Sequence, residues 1–146
     1  AKEKMEHGTW LHSKLLDASS YCIGIDIDAD AVKYCTDDLG LTGIYQHDLI
    51  NEPAHEAILA QNWEYAILGE ILEHTNSPIE FLSCIRRKYS GVIQNFVIVV
   101  PNAWNLTTLV IVRRDIEYIN SDHRYWFTPN TLAKVATEAD FNVLEI

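Results

Sequence analysis

Two carboxylates and an imidazole crowd into the seven residues LGEILEH: Glu70, Glu73 and His74. If Glu70 begins a helical turn, the spacing i, i+3, i+4 puts all three on one face. Such a face can bind a divalent metal or move a proton. The plainer alternative is a solvated helix start, its acids near the positive end of the dipole. His123, in SDHRYWF, is the other histidine in a promising setting, just ahead of an aromatic cluster. His7, His12, His47 and His55 have no useful partner spacing and read mostly as surface residues. Two further acids follow short apolar runs: Asp26 in YCIGIDI and Asp48 after GIYQH. A carboxylate at Asp26 can accept two hydrogen bonds from the vicinal hydroxyls of a ribose. Alternatively it helps cap the next helix, a job that Asp28 or Asp30 could do. Asp48 could accept from an exocyclic amine such as that of adenine, although a lone Asp there is more often a turn residue.

These groups need a scaffold, and the sequence alternates short apolar runs with helical patterns. Tyr21 to Ile27, Gly43 to His47 and Trp63 to Leu68 read as strands. Phe96 to Val100 is apolar throughout, the mark of a strand covered on both faces. Asp28 can cap a helix with apolar positions Ala31, Val32, Cys35 and Leu39, which Gly40 would stop. Ser77-Pro78-Ile79-Glu80 opens another helix running to about Lys88, and Thr128-Pro129 starts a third in the same way. Phe141 to Ile146 reads as a final strand. Strand, helix, strand, helix predicts an α/β sandwich of three layers around a mostly parallel, Rossmann-like sheet. In such sheets ligands sit beyond the carboxyl ends of the strands, at Asp26, Asp48, Gly69-Glu70 and Pro101-Asn102. The long connection 101–127 carries Trp104, Tyr118, Tyr125 and Trp126 and a short apolar helix, Leu106 to Val112. It reads as a lid on the substrate side.

Composition sets the outer bounds. The chain has 146 residues, 48% hydrophobic and 22% charged, which suits one ordinary domain. Its 11 basic and 21 acidic residues leave a net charge of −10, a poor balance for holding a long nucleic acid. No apolar stretch approaches the roughly 20 residues of a membrane span. The 3 cysteines are widely spaced and form no CxxC pair, which fits small core residues in a reducing cytoplasm.

Taken together, YCIGIDIDADAVKYC, GIYQHDL, WEYAILGEILEHTNSPIEFL, FVIVVPN and DHRYWFTPNTLAKVATEADF resemble the class I S-adenosylmethionine-dependent methyltransferases. The likeness runs from about residue 8 to the C-terminus. It is greatest to the subgroup with a GE-x-x-EH segment and a later H-x-x-x-F-(S/T)-P-x-x-L. The resemblance implies S-adenosylmethionine as cofactor, with Asp26 on the ribose hydroxyls and Ile27 against the adenine. It implies Asp48 at the adenine amine with Leu49 beside it, and Leu68, Gly69 and Glu70 under the methionine end and sulfonium. The transfer would be a direct displacement at the methyl carbon, with His74 and His123 as candidate bases. The expected acceptor is a small molecule, sugar or lipid-linked intermediate.

The sequence also departs from that family. Its Gly-rich loop, roughly D-x-G-x-G-x-G, is replaced by EHGTWLHSKLL with Gly8 alone, and Asp140 stands where A-G-F is common. The family's first and last strands have no counterpart, so the chain reads as a piece of such an enzyme. A second resemblance links Glu70, Glu73, His74 and His123 to the metal-binding set of small-RNA 2′-O-methyltransferases. It ranks lower, because metal-free relatives carry the same letters. A third reading, favoured by the absent loop, is a non-catalytic methyltransferase-like interaction domain.

Overall fold

The computed structural model describes residues 10–116 and 119–146, so the readings placed on His7, Gly8 and Tyr118 fall outside it. The chain divides into two compact units, one ending at His55 and one running from Glu56 to Ile146.

In the first unit α1 (Leu11–Ala18) precedes β1 (Gly24–Asp26), α2 (Ala29–Lys33) and β2 (Ile44–Gln46). The two strands pair in parallel, Gly24 opposite Ile44 and Asp26 opposite Gln46. Both are shorter than their apolar runs suggest. Tyr21 is 58% exposed and Ile27 63% exposed, so the ends of YCIGIDI lie outside the ladder. Asp28 caps α2 as expected, accepting from Asp30 N at 2.9 Å and Ala31 N at 3.2 Å. The helix then widens into a π-helical turn over Tyr34–Asp38, which carries buried Cys35. Gly40 follows with φ +65°, a left-handed conformation that glycine adopts without a Cβ clash.

The second unit is built on longer strands. After α3 (Glu56–Leu59) come β3 (Trp63–Gly69), α4 (Pro78–Tyr89), β4 (Ile93–Val99), α5 (Leu106–Val112) and α6 (Pro129–Glu138). β3 and β4 pair in parallel from Trp63 opposite Ile93 to Gly69 opposite Val99. Ser77 Oγ accepts from Glu80 N at 3.4 Å, and Thr128 closes a reciprocal capping box with Thr131. Helix α4 buries Pro78, Leu82, Ile85 and Tyr89, positions that share one helical face. Its Leu82 joins Leu68, Leu72, Phe127, Ala136 and Ala139 in the core, with Phe96 and Ile98 packed against them.

Two expectations for this unit are corrected. β4 is covered on one face only, since Val97 and Val99 are 39% and 44% exposed while Phe96 and Ile98 meet the core. An unbroken apolar run therefore does not by itself show two covered faces. Residues 141–146 form no strand among the described residues. They find no ladder partner, and Leu144 is 80% exposed. Helix α6 ends in a Schellman motif: Phe141 N donates to Ala136 O at 3.0 Å and Asp140 N to Thr137 O at 2.9 Å. Asp140 has φ +68°, which explains why glycine suits this position. Asp tolerates it better than most residues, and its carboxylate pairs with Arg86 at 2.9 Å.

The described strands thus form two parallel two-stranded sheets within an α/β chain. Among the described residues no helix is long and apolar enough to cross a membrane.

Candidate functional site

Asp26 ends β1 exposed to solvent. One carboxylate oxygen accepts from Asp28 N at 2.9 Å, while the N-terminal groups of α2 are capped by Asp28 itself. The helix-capping explanation for Asp26 is therefore largely taken up by its neighbour. Beside it lies a cavity of about 140 Å³ lined by Trp10, His12, Gly24, Asp26 and Val32 among others. His12 departs from the surface placement expected of most of these histidines: its ring lies against Gly24, where an added Cβ would come within 3.0 Å of it. Glycine at this position lets an imidazole pack on the strand. Burial pushes the His12 pKa down. Burial likewise pushes up the thiols of Cys22 and Cys35.

Asp48 behaves differently. It accepts from Ile50 N and Asn51 N at 2.9 Å each and from Asn51 Nδ2 at 2.7 Å, so its carboxylate organises the turn after β2. Leu49, within that turn, is half-buried. His47 departs from that surface expectation too and is 7% exposed. Its Nδ1 lies 3.0 Å from Glu52 Oε2 and its Nε2 3.0 Å from Pro53 O. These contacts fasten the 47–53 loop.

In the second unit β3 delivers Leu68, Gly69 and Glu70. The Leu68 side chain is a core residue, leaving its backbone for any ligand. Glu70 is exposed and has φ +55°, so it does not begin a helical turn. The turn begins at Leu72 instead, as a single 3₁₀ turn through His74. The expected common face of Glu70, Glu73 and His74 is thereby lost. Leu72 and Glu73 are pulled inward together, both 0% exposed. Among the described residues, neither carboxylate oxygen of Glu73 has a hydrogen-bond partner.

His123 replaces Glu70 in the cluster. Its ring meets that of His74 edge-on, with centroids 4.7 Å apart. Ligand atoms of Glu73, His74 and His123 lie within 4.8 Å of one another. The connection carrying His123 is fastened to the 73–76 segment by Arg124 N to Glu73 O at 2.7 Å and Tyr125 OH to Asn76 O at 2.8 Å. His74 Nδ1 lies 3.1 Å from Asp122 O, and the Arg124 guanidinium also donates to His74 O. Helix α5 occupies the expected residues of this connection, capped by Asn105 on Thr108 N at 2.9 Å.

No family profile matches the sequence, and no curated protein matches it. Among solved structures, a SAM-dependent methyltransferase from Archaeoglobus fulgidus matches with a TM-score of 0.60 and 21% identity. The chain shares its fold. The match covers 89% of this chain but 55% of that one, so the chain spans about half the length of its structural neighbour.

Proposed function

We propose that this chain is part of an S-adenosylmethionine-dependent methyltransferase of the class I type, its strands belonging to a three-layer sandwich. The observation that carries the reading is Asp26, an exposed carboxylate at the carboxyl end of a parallel strand in a chain with a methyltransferase fold. One of its oxygens accepts no hydrogen bond among the described residues, which suits a pair of ribose hydroxyls. Ile27, 63% exposed, offers an apolar surface for the adenine ring. Asp48 and Leu49 would meet the adenine edge, Asp48 with whatever acceptor capacity its turn leaves. In the second unit the backbone of Leu68 and Gly69, with the Glu70 carboxylate, would suit the methionine end and its positive sulfonium.

The cofactor, when bound, supplies the electrophilic methyl group. A lone pair on the acceptor oxygen or nitrogen forms the new bond to carbon as the carbon–sulfur bond breaks. The sulfonium pair returns to sulfur, leaving neutral S-adenosylhomocysteine. The protein's part is alignment and removal of the acceptor proton. His74 and His123 are the candidate bases, and the aromatic connection 101–127 the acceptor-side lid. The acceptor class is a small molecule, sugar or lipid-linked intermediate. The free thiols suit a reducing compartment such as the cytoplasm.

Calorimetric titration with S-adenosylhomocysteine tests this. Asp26→Ala is expected to weaken binding by about 1–3 kcal/mol through loss of charge-assisted hydrogen bonds. Unchanged affinity would remove Asp26 from the site, and no binding by the native chain would favour the non-catalytic interaction domain.

A further inference from the structure

We propose that His47 is a positioning residue of the cofactor site: as an imidazolium it holds the Asp48 turn against the end of β1. The first ground is the pairing of its ring. Nδ1 lies 3.0 Å from Glu52 Oε2, and Nε2 lies 3.0 Å from Pro53 O. A carboxylate and a backbone carbonyl are both acceptors. Both contacts are therefore hydrogen bonds only when both ring nitrogens carry protons. A neutral ring has one donor and one lone pair, and that lone pair would face an oxygen. The ring is buried, so water does not readily replace the contact that is lost.

The second ground is the place of His47 in the fold. Its backbone N donates to Asp26 O at 2.9 Å, which ties it to the strand end that presents the Asp26 carboxylate. Its side chain reaches the other way, into the turn. There Glu52 Oε1 accepts from Asp48 N at 3.2 Å, and Glu52 N donates to Asp48 O at 3.1 Å. His47, Asp48, Glu52 and Pro53 thus form one hydrogen-bonded loop anchored on Asp26. Asp26 and Asp48 are the acids assigned above to the ribose and the adenine edge, and His47 sets their spacing. That role rests on the methyltransferase reading; the protonated clamp itself does not.

Glu52 and His55 are the titratable groups that face the ring. His55 meets it edge-on with centroids 4.7 Å apart, and lies in turn against Tyr45. The Asp48 carboxylate turns away, to the backbone of Ile50 and Asn51. Glu52 attracts the charged ring, and a proton on His55 would oppose it. As pH rises and the ring loses a proton, one of its two bonds is lost and the turn loosens. Cofactor affinity should therefore fall as pH rises from about 5 to 8, the range in which imidazoles change charge.

Ring-proton NMR of the chain labelled in its histidines tests the clamp. Two slowly exchanging ring N–H resonances, both absent from His47→Gln, are expected at the acid end of that range. One of them should disappear as pH rises. Calorimetry with S-adenosylhomocysteine across the same range tests the positioning role, with circular dichroism checking each fold. His47→Gln, neutral throughout, should bind at least about tenfold more weakly than the native chain at the acid end and lose its pH dependence. His12 and His55 are present in both chains, so the difference belongs to His47. Glu52→Gln keeps the oxygen that Asp48 N uses but removes the counter-charge. It should move the profile to lower pH, which a merely structural contact would not do. If His47→Gln unfolds, Glu52→Gln decides. Fewer than two such ring protons, or an unchanged affinity profile in a folded variant, overturns the proposal. No cofactor binding by the native chain at any pH sinks the methyltransferase reading and the positioning role with it, and the ring protons then decide the clamp alone.

Discussion

The two units handle their carboxylates in opposite ways. In the first, β1 and β2 pair over only 3 residues each, and the acids that follow them find partners close in sequence. Asp28 serves the helix start, Asp48 the next turn, and Glu52 the nearby His47. In the second, β3 and β4 pair over 7 residues each, and the core between them, α4 and α6 takes in Leu72 and with it Glu73. That carboxylate is left without a local partner and faces imidazoles, one of them from a distant segment. A local hydrogen bond costs little conformational entropy and needs little surrounding structure. A buried, unpaired acid persists only where a well-packed core holds it.

The contrast predicts unequal responses to mutation. The largest effect is expected at the core that buries Glu73. Leu82→Ala should lower unfolding free energy by about 2–5 kcal/mol, because it leaves a cavity beneath α4. Urea unfolding measures this, and a loss below about 1 kcal/mol would mean that the second unit's core is not holding the acid in place. A smaller effect is expected in the first unit, where Asp48→Ala should cost about 0.5–2 kcal/mol by releasing its turn hydrogen bonds. Full stability in that variant would show the turn to be independent of the carboxylate, leaving Asp48 free for a ligand.

The smallest effect concerns His12. Its pKa is lowered by burial, so the unfolded chain binds the proton more readily than the folded one. Stability should therefore rise with pH across the window below the ordinary value of 6.5. The contribution is lost as pH falls from there through the lowered folded value. His12→Asn should flatten that part of a melting-temperature profile. An identical profile in the variant would assign the slope to other groups.

Much of the scaffold was legible because its signals are local. Ser77-Pro78 and Thr128-Pro129 start helices where expected, a short helix spans Leu106–Val112, and Asp28 caps α2. The failures are non-local. The hydrophobicity of Phe141–Ile146 suggests a strand, yet a strand exists only with a neighbour to complete its hydrogen bonds. Glu70 looked like a helix start by spacing, but its backbone turns through φ +55° and delays the turn by two residues. His12 and His47 carried no signal because their burial depends on what packs over them.

By its own letters the chain determined alternating parallel strands and helices, their caps, and an acid at the end of β1. Those follow from propensity, periodicity and hydrogen bonds between near neighbours. Only the tertiary structure decided that, among the described residues, Glu73 is buried without a hydrogen-bond partner and that His74 and His123 lie beside it while Glu70 stays exposed. The reason is physical: burial and the meeting of distant side chains are properties of the packed core, and no local pattern encodes them.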